Sequence, residues 1–227
     1  MSKKELLKTA FIKSLPVMCS YVFVAIAYGI MMEESGLAWY YSLLTSAAVY
    51  TGAFQFVLIT FLSGGASILT IALTALLMNS RQTFYSLTFV NDFRRMGRKK
   101  LYMIHTMTDE TYAVNCSLDL PENDRHSVMF YVAVMSKGSW IIGSVLGGVL
   151  GQLIPFELEG VDFSMTALFV VIFVDRWEKA EKRYPALIGL GVGIACLLIF
   201  GQSGFMLPAL LISSALLILF GKKEEAK

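Results

Sequence analysis

Polar and charged side chains inside long apolar runs are the residues of this sequence best placed to do chemistry. Asn79 and Arg81 stand midway along the apolar stretch 68–90. Eleven helical residues at about 1.5 Å each put Asn79 about 16 Å from the start of that stretch, near the centre of a bilayer. An arginine there costs about 2.5–3.5 kcal/mol on insertion scales, so it needs a partner or a ligand. The Arg81 guanidinium can hold a carboxylate in a bidentate fork. The Asn79 amide can accept from an ammonium or donate to a carboxylate. The plainer alternative is a helix that ends early, with Arg81 snorkelling to the headgroups. Gln55 lies in Tyr50-Thr51-Gly52-Ala53-Phe54-Gln55-Phe56. It either orients a small polar substrate or makes a helix–helix hydrogen bond, worth about 0.6 kcal/mol in membranes. Asp109 and Glu110, in Thr108-Asp109-Glu110-Thr111, are candidates to pair with Arg81 or to carry a coupling proton; otherwise they form a solvated helix start capped by Thr108. Asp162 caps the helix that follows it or contacts substrate. Lys137 lies nine residues into the stretch 128–153 and either snorkels or pairs there.

These residues need elements that hold them in an apolar solvent. The chain has 227 residues, 56% hydrophobic and only 16% charged, with a mean hydropathy of +0.63. Soluble domains carry about 25% charged residues. The composition excludes a disordered chain and a disulfide scaffold, and a net charge of +2 is too small for a nucleic-acid binder. Cys19, Cys116 and Cys196 show no metal-ligand spacing. There is no HExxH, GxSxG or P-loop pattern, so neither catalytic residues nor a metal or other cofactor is expected, and ATP-driven pumping by this chain alone is excluded. Lys3, Lys4, Lys8 and Lys13 precede the first apolar run, which is long enough to span and is followed by no small-residue cleavage site. A retained first span is expected.

The expected spans are roughly 14–32, 38–62, 68–90, 128–153, 163–176, 185–200 and 205–220, with residues 91–126 as a cytoplasmic loop and the whole chain as one membrane domain. Basic residues cluster near the N-terminus, at 94–100, at 176–183 and at the C-terminus, whereas the connections 33–35, 63–67, 157–162 and 201–204 carry none. The positive-inside rule puts both termini in the cytoplasm. It also creates a conflict. The 52 residues from Trp39 to Val90 must cross an odd number of times, yet three crossings leave about 17 residues each and no turns. One full crossing plus a broken or re-entrant segment meets both demands, the break falling at Thr51-Gly52 or at Ser63-Gly64-Gly65. Non-helical backbone at that depth is tolerated only where protein or a wet cavity satisfies it, and transporters use such breaks to expose backbone dipoles to substrate. Ser20-Tyr21 with Gly29 resembles Ser139-Trp140 with Gly148, which reads either as an internal duplication or as ordinary small-residue helix packing. The fold class is all-α: a polytopic integral membrane helical bundle with broken or re-entrant helices, with an internal repeat left open.

The sequence also resembles the AzlC/YgaZ-type branched-chain amino acid exporters, the larger subunit of a two-component bacterial permease. The resemblance runs in order through Ser14-Leu15-Pro16-Val17, Gly36-Leu37, the 50–56 motif, Asn79-Ser80-Arg81, Thr108-Asp109-Glu110-Thr111, Trp140 with its following glycines, and Gly160-Val161-Asp162-Phe163. Gln82 stands where the family often has histidine. The resemblance implies export of leucine, isoleucine, valine or a similar amino acid across the cytoplasmic membrane, driven by an ion gradient. It also implies a small hydrophobic AzlD/YgaH-type partner subunit. It selects Gln55, Asn79 and Arg81 as polar lining, beside Gly52, Phe54 and Trp140, with Asp109, Glu110 and Asp162 as coupling candidates. A non-transport membrane scaffold, or an exporter of another small amphipathic solute, is the alternative.

Overall fold

The computed structural model describes residues 1–153, 170, 173–174, 177–178, 183–201 and 205–225. The described residues are helical throughout. In order they form α1 (Lys3–Glu34), α2 (Trp39–Ala48), α3 (Gly52–Ser63), α4 (Ile68–Thr88), α5 (Val90–Arg95), α6 (Lys99–His105), α7 (Asp109–Cys116), α8 (Glu122–Leu153), α9 (Tyr184–Phe200) and α10 (Met206–Glu225). The expected span 163–176, Asp162 and the connection 157–162 that carries no basic residue fall largely outside the described residues. So does the side chain of Arg81.

The chain forms two compact units. The first comprises residues 1–64 and 79–156, and its spine is the pair α1 and α8. Each has 32 residues, long enough to cross a bilayer. A Cβ on Gly143 would meet Val22 and Ala25, one on Gly147 would lie 2.1 Å from the Ile26 carbonyl oxygen, and one on Gly151 would meet Ile30 and Glu33. From the other side, a Cβ on Gly29 would lie 2.1 Å from the Ser144 carbonyl oxygen. The partners advance together along both helices, so α1 and α8 run parallel with backbone against backbone. Absence of Cβ atoms on facing glycines is what permits this approach. Both ends are tied: the N-terminal ammonium donates to Asp124 Oδ2 at 3.1 Å, and Gln152 Nε2 donates to Glu33 Oε2 at 3.3 Å. At its start α1 is closed by a capping box in which Ser2 and Glu5 satisfy each other's backbone N–H.

Expected as one span with a break, residues 38–62 form two half-length helices instead. Helix α2 runs antiparallel to α8: a Cβ on Gly148 would meet Trp39, Ser46 Oγ donates to Ser144 Oγ at 2.8 Å, and the Ala47 carbonyl reaches Lys137. The helix ends at Val49, and Tyr50 takes a left-handed φ of 43°. Helix α3 then starts against the Trp140 ring and by Phe56 has reached Tyr28, whose ring centroid lies 5.4 Å away. The chain therefore reverses at 49–51, the first of the two break points named from sequence. Ten residues of α2 span about 15 Å, half of a bilayer core.

Residues 91–126, expected as a loop, hold three short helices. Phe93 of α5, Met103 of α6, Met107 and Leu118 bury against Ala10 of α1 and Val128, Met129 and Val132 of α8. These apolar residues are too widely spaced to show a period, which is why the sequence hid this cap. Asp92 pairs with Arg125 and lies 3.0 Å from His126 Nε2. Burial pushes the Asp92 carboxyl up, but hydrogen bonds from Arg125 and His126 outweigh it and hold the carboxyl below its usual value. In the second unit, residues 65–78 and 157–227, α9 packs on α10. Helix α9 ends where Gly201 takes φ 71° and its N–H reaches Leu197.

Gly147→Ala forces a methyl into the Ile26 carbonyl, and overpacking of this kind costs about 1–3 kcal/mol or more. It lowers the thermal midpoint of the purified protein. A Cβ on Gly138 meets nothing within 4 Å, so Gly138→Ala on the same helix leaves the midpoint level or raises it. The depressed Asp92 pKa makes a second test. Its stabilisation is fully present above about pH 3.9, the unfolded value, and is lost as pH falls through the lower folded value. The thermal-midpoint gap between wild type and Asp92→Asn therefore shrinks in acid below that point; parallel curves from pH 6 down to pH 2 remove Asp92 from the account.

Candidate functional site

The turn between α2 and α3 brings two helix ends together in the first unit, the α3 start against buried Trp140 and the α2 end at exposed Ala47 and Ala48. The N-terminus of α3 has no side-chain cap. The first-turn N–H groups of Gly52, Ala53 and Phe54 therefore have no intrahelical acceptor and carry the positive end of the helix dipole. Over them lies Trp140: its ring edge would be 3.3 Å from a Cβ on Gly52. That contact is the reason the position suits glycine. Trp140 is fixed in turn by Tyr21, edge-on at 5.3 Å, and by Tyr28, stacked at 6.4 Å.

At the opposing end, the C-terminus of α2 presents its last carbonyls. Ala47 O accepts from Lys137 Nζ at 2.9 Å and lies 3.4 Å from His105 Nε2. A cation at a helix C-terminus is worth about 0.3–1 kcal/mol when exposed and up to about 2 kcal/mol when partly buried. Lys137 also sits 5.4 Å from the Tyr50 ring centroid and 5.7 Å from that of Tyr102. The residue thus pairs with the α2 end at a partly exposed position; pairing and snorkelling were the two expectations.

A chain of hydroxyls joins the two half-helices to α8. Gln55 Nε2 donates to Ser46 Oγ at 3.2 Å, Ser46 Oγ to Ser144 Oγ at 2.8 Å, and Ser144 Oγ to the Trp140 carbonyl at 2.8 Å. Tyr28 and Thr45 share a hydrogen bond of 2.7 Å. Several buried polar atoms around the turn nonetheless have no partner: Tyr50 Oη, Thr51 Oγ1, Gln55 Oε1 and Trp140 Nε1. Gln55 is fully buried, and Tyr50 and Trp140 are 3% and 4% exposed. Buried groups of this kind are costly unless something polar meets them. The arrangement offers donors at one helix end, acceptors at the other and aromatic faces between, which is the chemistry that holds a small zwitterion with an apolar side chain.

The structure brings Gly52, Gln55 and Trp140 of the sequence candidates together at this turn. Phe54 is buried beside them on α3. Asn79 is half-buried on α4 and takes no part in the hydrogen bonds of the turn, and Arg81 follows on the same helix. Of the acidic candidates, Glu110 accepts from the buried Tyr21 hydroxyl at 2.7 Å, and Tyr21 shares a second 2.7 Å bond with Thr108. Thr108 and Thr111 also form a capping box at the start of α7. The helix start is capped by Thr108 as one reading expected, and the Glu110 carboxylate meets the Tyr21 hydroxyl, a partner that neither reading named. Asp109 is half-buried. Tyr21, Tyr28 and Ser46 were not selected from sequence; Tyr50 was read as apolar lining, and Lys137 only as a residue that snorkels or pairs. For Lys137 the one signal was an ammonium nine residues inside an apolar run.

Comparison with known proteins places the chain in a family. The family model described as AzlC protein matches residues 16–154, the stretch that holds α1, the α2–α3 turn and α8. A Bacillus subtilis protein named Branched-chain amino acid transport protein AzlC is 36% identical over 219 residues, covering 96% of this chain and 86% of its own. An uncharacterized membrane protein of Haemophilus influenzae is 34% identical over 209 residues, covering 91% and 86%. The inner membrane protein YgaZ of Escherichia coli is 29% identical over 191 residues, covering 80% and 78%. No solved structure matches the chain. A helical integral membrane protein with this motif order and these relatives belongs to the AzlC family.

Proposed function

We propose that this chain is the large subunit of a secondary transporter that exports branched-chain amino acids across the bacterial cytoplasmic membrane, coupled to the proton gradient. The observation that carries the reading is the uncapped start of α3 facing Trp140 beside the carbonyl end of α2. A substrate carboxylate fits the free N–H groups of Gly52, Ala53 and Phe54. Its ammonium fits the α2 carbonyl end. Its branched side chain fits the aromatic faces of Tyr28, Phe56 and Trp140. The printed name of the Bacillus subtilis relative supports the substrate class.

The membrane placement belongs to the same proposal. Parallel α1 and α8 enter from the cytoplasm together, so the residues between them make an odd net number of crossings. With α2 and α3 as a re-entrant hairpin from the outer side, α4 supplies the return, and the α5–α7 cap with both termini lies in the cytoplasm. Asn79 and Arg81 are proposed as further polar lining from α4, and Asp162 as a further coupling candidate, on the family resemblance. Glu110, bound to Tyr21 beneath Trp140, is the better-placed proton carrier. A small hydrophobic AzlD/YgaH-type subunit completes the permease.

Cells expressing the chain with that small subunit and loaded with a leucine dipeptide export leucine faster than cells lacking it. Gly52→Val drives methyl groups into the Trp140 ring, and Trp140→Ala removes the ring. Each lowers efflux about tenfold or more at equal membrane protein level, the scale expected when one buried polar site is disrupted. Unchanged efflux in both variants removes the helix turn from the mechanism. Full tolerance of Asn79 and Arg81 replaced together removes α4 from the lining and favours the scaffold alternative for that helix.

A further inference from the structure

We propose that Lys137 occupies, in the empty protein, the seat that the substrate's ammonium group takes, and that substrate binding there displaces one proton from the Lys137 side chain. The inference rests on the transport reading above and adds a residue and a proton to it.

The surroundings of the Lys137 Nζ are those of an ammonium receptor. It donates to the Ala47 carbonyl at 2.9 Å, at the negative end of the α2 dipole. The Tyr50 and Tyr102 rings lie 5.4 and 5.7 Å from it, within cation–π range. Half-helix C-terminal carbonyls in secondary transporters coordinate the coupling cation; here the cation is tethered to the chain. Tyr50, which bears one of the two rings, forms the turn itself, so the seat is continuous with the uncapped start of α3 two residues on.

Two ammonium groups on one carbonyl repel, and a like charge disfavours the protonated state of either. The substrate's α-ammonium is anchored by its own carboxylate at the α3 N-terminus, so Lys137 is the group that yields. Its –NH3+ becomes –NH2, and the proton leaves to water on the exposed side where His105 stands. Only an N–H bond breaks; the entering ammonium replaces the positive charge lost from Lys137 at the seat, and because the amino acid also brings its carboxylate the bound complex carries one positive charge fewer. The titratable groups around Lys137 are Tyr50 at the turn, Tyr102 and His105 on α6, and beyond Tyr50 the Tyr21 hydroxyl on α1 and the Glu110 carboxylate on α7. Residues within one turn of Lys137 on α8 carry none.

Calorimetric titration of the purified protein with its small subunit, using L-leucine, L-isoleucine and L-valine in buffers of different ionisation enthalpy, counts the protons released. Wild type releases about one proton per amino acid bound near neutral pH. Lys137→Gln binds and releases none. Lys137→Arg keeps a charge that does not dissociate, so it binds about tenfold more weakly and also releases none. The inference is overturned if Lys137→Gln or Lys137→Arg releases as many protons as wild type, or if wild type binds but releases none. A wild type that binds none of the three amino acids overturns the transport reading, and this inference with it. That result is distinct from binding without proton release.

Discussion

The structure depends on one close contact, the backbone-to-backbone approach of α1 and α8 along Gly29, Gly143, Gly147 and Gly151. In lipid there is no hydrophobic drive to bring two apolar helices together, so close packing of small residues must do it. Parallel direction is the consequence that matters. Two helices that begin at the same end force the chain between them to return, and they leave a trough along their flank. Helix α2 lies in that trough, its Trp39 against Gly148 and its Ser46 against Ser144. A side chain larger than glycine at 148 would press on Trp39 and Ser42 of α2, and one at 147 would part α1 from α8.

The turn at 49–51 then follows from length and polarity. Ten residues take α2 halfway, and a left-handed Tyr50 ends it. Left-handed backbone at a non-glycine residue is uncommon and costs of order 1–3 kcal/mol, and such positions cluster where strain has a use. Here it ends α2 at carbonyls that Lys137 and His105 reach and starts α3 with N–H groups that no side chain caps. Lys137, Trp140 and the Gln55–Ser46–Ser144 chain, all within reach of α8, meet part of the demand for polar partners at the turn. The part left unmet is the proposed site.

The cap of short helices has a different role. Helices α5–α7 bury Phe93, Met103 and Met107 on the starts of α1 and α8, and they carry Tyr102, His105, Thr108 and Glu110 to the underside of the turn. The cap thus supplies the groups that face Lys137 and Tyr21 from below, and a change in its packing would be felt at the turn through those contacts.

Much of this was legible in the sequence, because it depends on composition and on local chemistry. A charged fraction of 16% demands a membrane whatever the packing. The crossing count between Trp39 and Val90 demanded a broken segment, and Thr51-Gly52 was a place for it because glycine is where a chain can turn and a ring can approach. Gly52, Gln55 and Trp140 were therefore readable as candidates. What the sequence could not contain was direction and company. The parallel course of α1 and α8, the reversal of α3, the reach of Glu110 to Tyr21 and the seating of Lys137 on the Ala47 carbonyl join residues up to about 120 positions apart, and no periodicity along one helix encodes a partner on another. Sequence decided the solvent and the break; tertiary packing decided which polar groups meet there, because in an apolar interior a polar group is placed by the partner that satisfies it.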